Sequence, residues 1–189
     1  RAQLLQVLGR HEQALTLAQH VADADLPPLL KAEAETMVAD AMGSGPARDY
    51  HRAIERRLKA IQIAARQATA KDGARRRAAI RLLVDAHLGC AMDIAHGDWA
   101  RQEEVALKWV ASAKELARRA EGDEGSLRLL VHRKKLAVLA ALNVKQDPQE
   151  IVNELVEDTD QRLKEHPDAL RKRFLQWRLG GALSDAARI

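Results

Sequence analysis

Two registers of self-similarity run through this chain. Asp49, Asp98 and Asp147 stand 49 residues apart, each opens a stretch of helical character, and Leu58, Leu107 and Val156 follow them in step. In the segments before these aspartates the spacing is 50. Leu30, Ile80 and Leu130 line up, as do Val38, Leu88 and Val138, Ala41, Ala91 and Ala141, and Met42, Met92 and Leu142. Self-similarity at a fixed period of about 20 to 50 residues marks a chain built from stacked supersecondary units. Such units cannot bury their apolar faces alone. Stacking them yields an extended surface instead of a single reaction pocket.

Apolar spacing and breakers divide the chain into about nine helices with no strand. Helical stretches are expected at 2–8, 11–23, 28–42, 49–70, 75–96, 99–120, 127–144, 148–165 and from about 168 to 179. Gly9, Pro27-Pro28, Gly43-Ser44-Gly45-Pro46, Asp72-Gly73, Gly97-Asp98, Gly122 to Gly125, and His166-Pro167 punctuate them, with Gly180-Gly181 weakening or ending the last. Ser126 reads as an N-cap. Asp147-Pro148-Gln149-Glu150 is a strong helix start, with a capping aspartate, proline in the first helical position and a glutamate placed for a capping box. Short connections force antiparallel neighbours. The expected fold is all-α, a right-handed superhelical array of antiparallel helical hairpins. It forms one domain over 1–189, with units at about 1–27, 28–72, 73–122 and 123–166 and a terminal helix at 167–189.

Hydrophobic residues make up 47% of the chain but aromatics only 3%, so alanine must carry much of the core and let helices approach closely. No run of about 18 apolar residues offers a membrane span. The single cysteine, Cys90, excludes an internal disulfide and a cysteine-based zinc site, and suits a reducing, cytoplasmic setting. The chain opens on Arg1 in what reads as the tail of a helix, so it is expected to be part of a larger protein. The net charge of +4 is unevenly spread. From Arg48 to Arg81 there are eleven Lys/Arg against three acids, whereas from Lys145 to Glu165 seven acids face three bases.

The stretch Leu8-Gly9-Arg10-His11-Glu12-Gln13-Ala14-Leu15 resembles the inter-helix turn of a tetratricopeptide repeat. Gly9, Glu12 and Ala14 fit that pattern, and Ala18 and Pro27 fall near the family's later small-residue and proline positions. Later units are about 50 residues long against 34 in the standard motif, and they lack its aromatic positions. The resemblance is therefore to the wider tetratricopeptide-repeat-like superfamily. It implies an α-α solenoid and a role in protein–protein scaffolding or peptide recognition. The family's basic clamp for peptide C-termini needs asparagines beside lysines; only Asn143 and Asn153 are present, and the clamp is not carried over.

No nucleophile–base spacing stands out, no phosphate-loop spacing follows Gly43-Ser44-Gly45, and no enzyme activity or cofactor is expected. His87 and Cys90, with Asp93 and His96 nearby, could approach a metal geometrically; their place in the apolar stripe favours core packing, and no metal site is expected. Arg75, Arg76, Arg77 and Arg81 read either as a solvated helix start or as an anion-binding patch, since cations sit awkwardly at a helix N-terminus. Trp99, Trp109 and Trp177 read as packing residues. If Ala41, Ala91 and Ala141 mark a tight inner turn, Val38, Met42, Leu88, Met92, Val138 and Leu142 would line one groove for a protein or peptide partner. Lys135 would then stand at its edge, with Glu35 and Asp85 in equivalent places. The alternative is a nucleic-acid-associated helical array that uses the basic face of 48–81.

Overall fold

Every regular element in the computed structural model is an α-helix among the residues it describes, which are 2–120, 124–144, 147–165, 169–187 and 189. In chain order these are α1 (Ala2–Val7), α2 (His11–Asp23), α3 (Pro28–Gly43), α4 (Tyr50–Gln67), α5 (Gly73–His96), α6 (Gln102–Ala117), α7 (Glu124–Ala141), α8 (Gln149–Glu165) and α9 (Ala169–Ala186). No described helix is long and apolar enough to cross a membrane.

Local chemistry accounts for most boundaries. Gly9 takes φ +73°, which lets Arg10 N–H reach back to the Leu5 carbonyl and close α1 in a Schellman turn. Asn143, at φ 52°, does the same for α7, with Val144 N–H bonded to the Leu139 carbonyl. Asp49 caps α4 by accepting from the Arg52 N–H at 3.0 Å, Asp72 caps α5 by accepting from Ala74, and Asp147 accepts from the Gln149 N–H at 2.9 Å.

Three expectations are corrected. Asp98 is not a helix cap. The helix after it starts at Gln102, because the Trp99 ring lies over Gly97, and the Gln102 amide turns back to donate to the Ile94 and Gly97 carbonyls, at 2.7 Å each, that end α5. Ser126 lies inside α7, which begins at Glu124. Gly180-Gly181 does not stop α9, which runs to Ala186 because Ala182 and Ala186 are buried in a cluster with Leu136, Leu139, Ile151 and Leu155. The expected breaks at Gly122 and His166-Pro167 lie outside the described residues.

Each helix packs on its sequence neighbour, and α1, α3, α5, α7 and α9 also touch one another in succession. Among the described residues, the even-numbered helices meet one another only through side chains, as where Lys114 of α6 stands 3.9 Å from Glu154 of α8. Alanine makes the close approaches possible. In α4, Ala53, Arg57, Ala60 and Ala64 form the buried stripe at a helical spacing of four, three and four. Leu58 lies one step around the helix and is 38% exposed, so the expected burial of Leu58, Leu107 and Val156 as equivalents does not hold. Leu107 is half-buried against the α7–α9 cluster, and Val156 is half-buried as well.

Candidate functional site

The first turns of α3, the first half of α5 and the start of α7 frame an open groove of about 660 Å³. Leu29 and Leu30 come from α3, Leu82 from α5, and Leu127 and Leu130 from α7. Leu30 is 51% exposed within this apolar lining. Two exposed carboxylates, Glu33 and Asp85, stand among these apolar side chains, with Arg81 one turn before Asp85.

The groove's central helix is held by a charged joint. Asp85, Gly89 and Asp93 follow at intervals of four along α5 and so share one face. Arg57 of α4 crosses that face at Gly89, where an added Cβ would collide with the guanidinium. Arg57 Nε donates to Asp93 at 2.6 Å and Nη2 to Asp40 of α3 at 2.9 Å, so one side chain ties three helices. Burial works against the Arg57 charge, but Asp40 and Asp93 more than offset it and hold the group above its ordinary pKa. The preceding residue, Arg56, pairs with the buried Glu35 at 3.0 Å. Among the described residues no arginine closes such a pair with Asp85. Although the side chain reaches solvent, the groove walls desolvate its carboxyl; that desolvation and then the nearby Asp40 charge raise it above the usual range, and Lys134 and Arg57 lower it only in part.

The residues expected to line a groove are placed differently. Val38, Leu88 and Val138 are fully inaccessible, and Met42 is 8% exposed. Val38 and Met42 pack in a cluster with Ala18, Ala22 and Ala53, while Leu88 and Val138 belong to the α5–α7 core. Val38 lies five residues beyond Glu33, about 140° around a helix of 3.6 residues per turn, and therefore points away from the groove. Met92 and Leu142 are partly buried against the same core, and Lys135 is half-buried. The positions that the 50-residue register aligns, Val38, Leu88 and Val138, are thus interior ones. Asp85, expected at the groove's edge, does line the observed one, whereas Glu35 is spent on Arg56.

The arginines at the start of α5 do not act as a unit. Asp72 already accepts from the first free N–H groups of that helix, which relieves the mismatch of cations at a positive helix end. Arg75 and Arg77 are exposed, Arg76 is half-buried, and Arg81 belongs to the groove. Cys90 is buried, and that burial pushes its thiol up to about 12. His87 lies against Trp109 at 5.0 Å with Nδ1 on the Leu83 carbonyl, and Asp93 is committed to Arg57. Among the described residues no group of His, Cys, Asp and Glu is placed to hold a metal ion.

Sequence reasoning missed Gly89 and the leucines of the groove. A glycine inside a helix, four residues from an aspartate on either side, is the signal that would have found the first. Comparison with protein-family models, curated proteins and solved structures returns no match.

Proposed function

We propose that this chain is a protein-interaction module: a right-handed superhelical stack of helical hairpins, of the tetratricopeptide-repeat-like kind, that takes a peptide or helix of a partner in the groove of α3, α5 and α7. The observation that carries this reading is the groove itself, an apolar trough with an exposed Leu30 framed by three helices of successive units. The close packing of each odd-numbered helix on the next, where the even-numbered ones meet only through side chains among the described residues, supports an open array over a closed bundle. Repeat arrays use such inner surfaces for recognition. The nucleic-acid alternative draws less support, because Arg56 and Arg57 of the basic segment are consumed by Glu35, Asp40 and Asp93.

Site-specific photocrosslinking tests the reading. A benzophenone side chain at position 30 is expected to capture a discrete protein partner in cells. The same group at Leu8, 62% exposed just after α1, is the control. Equal capture from both positions, or none from position 30, would dismiss the groove as the binding surface.

A further inference from the structure

We infer that the groove selects a cationic amphipathic helix: a segment of another protein that sets leucine-type anchors between Leu30, Leu82 and Leu130 and brings a lysine or arginine to Asp85 and Glu33. This rests on the interaction-module reading and adds the chemistry of the partner. Three observations carry it. The trough is lined by aliphatic side chains from three helices, which suits anchors spaced at i, i+3 or i+4 on a partner helix. The charges around it are unequally served. Glu35, Asp40 and Asp93 each have an arginine within 3.0 Å, but no ion pair closes on Glu33 or Asp85 among the described residues. Asp85 also faces the like charge of Asp40, which Lys134 and Arg57 offset only in part, so a cation entering from the open side relieves the repulsion that remains. Arg81 is the one cation in the described lining, and it sits a turn away from Asp85 on the same helix. An acidic or phosphorylated segment would meet the Glu33 and Asp85 carboxylates and be rejected.

The test uses the full chain and two labelled probes: a short amphipathic helix of leucine and lysine, and its leucine and glutamate counterpart. Fluorescence anisotropy is expected to show binding of the lysine probe alone. Leu30→Asp should abolish that binding while leaving the thermal midpoint unchanged, since the side chain is already half exposed. Asp85→Lys should weaken it by about tenfold or more. If both probes bind equally and both depend on Leu30, the charge selection is wrong although the groove still binds helices. Binding of the lysine probe that ignores Leu30→Asp and vanishes in salt is surface attraction and overturns the inference. So does self-association of the chain that Leu30→Asp disperses, which would make a second copy the occupant. Failure of both probes overturns it too, and the crosslinking at position 30 then decides whether the groove binds any protein.

Discussion

Arg57 and His132 occupy comparable places, each a nearly buried base that bridges helices through two carboxylates. Their side chains are 6% and 7% exposed. Arg57 joins α4 to α3 and α5, whereas His132 joins α7 to Glu154 and Asp158 of α8. The guanidinium carries a permanent charge and several donors in a fixed fork, so it serves Asp40 and Asp93 together. A neutral imidazole has one donor. His132 Nε2 lies 3.0 Å from Glu154, but Nδ1 lies 3.5 Å from Asp158 and makes no hydrogen bond. Asp158 is held instead by Arg128 at 2.8 Å. The same architectural task is done by a charge-fixed joint under the groove and by a titratable joint towards the C-terminus.

The largest effect should come from the first joint. Arg57→Met leaves Asp93 buried without its partner, and breaking a buried pair costs about 3–5 kcal/mol. Gly89→Ala sharpens the point, because in a helix with room for a methyl group it should stabilise by about 1 kcal/mol. Here the Cβ displaces the guanidinium from both carboxylates, and a loss comparable to Arg57→Met is expected in chemical denaturation. A Gly89→Ala protein as stable as the parent would mean that Arg57 is not locked.

The α7–α9 region, lacking such a lock, should depend on apolar packing. Leu139 is fully buried there, and Leu139→Ala is expected to cost about 2–5 kcal/mol. Leu58→Ala, at a 38% exposed site on α4, should stay within about 0.5 kcal/mol of the parent. Equal losses at the two positions would restore the discarded register in which Leu58 is core.

Acid separates the two joints without mutation. Burial holds His132 below its ordinary range despite the opposing pull of Glu154 and Asp158. Its folded pKa is therefore lower than its unfolded one, near 6.5. The unfolded chain gains the proton first as pH falls, and stability drops below about pH 6.5 until the folded pKa is passed. His87 and His96 are shifted in the same direction, so the measure is the difference in slope between the parent and His132→Gln in thermal unfolding from neutral to mildly acid pH. The variant should show the shallower slope. The Arg57 joint should contribute nothing to that difference, because its cation does not titrate there.

How much of this was open to a reader of the sequence depends on whether the cause is local. Gly9 ends α1, and Asp49 and Asp147 cap their helices, because those devices act within a few residues. The 50-residue register also aligned Val38, Leu88 and Val138, and all three are buried. It could not say which side of each helix meets solvent, since periodicity fixes relative angles along a helix and packing partners fix the absolute one. That is why the groove was drawn through the core instead of through Leu30 and Leu82. Arg57 escaped notice for a related reason: a buried arginine is legible only once Asp40, Gly89 and Asp93 from two other helices are brought to it.

The smallest predicted effect is the one that ties stability to the groove. Asp85 lies on the same face of α5 as Gly89 and Asp93, yet among the described residues no arginine pairs with it, and Arg57 acts on it only from a distance. Burial and then the Asp40 charge hold its carboxyl above the ordinary range. A raised folded pKa means that the folded chain favours the protonated form, so this group's contribution to stability is present at low pH and lost as pH rises through that value. Asp85→Asn removes the ionisation. It should therefore stabilise the protein slightly at neutral pH, by no more than about 0.5 kcal/mol for so exposed a side chain, and make no difference in acid. Binding of the leucine–lysine helix should move the other way, because the same substitution takes away a negative charge that the partner's cation meets. Thermal unfolding and anisotropy on one variant thus read opposite signs if Asp85 is kept for a partner at a cost to the fold. A variant that loses stability at neutral pH would mean that Asp85 already has its cation within the chain, and the groove would then have no charge left to offer.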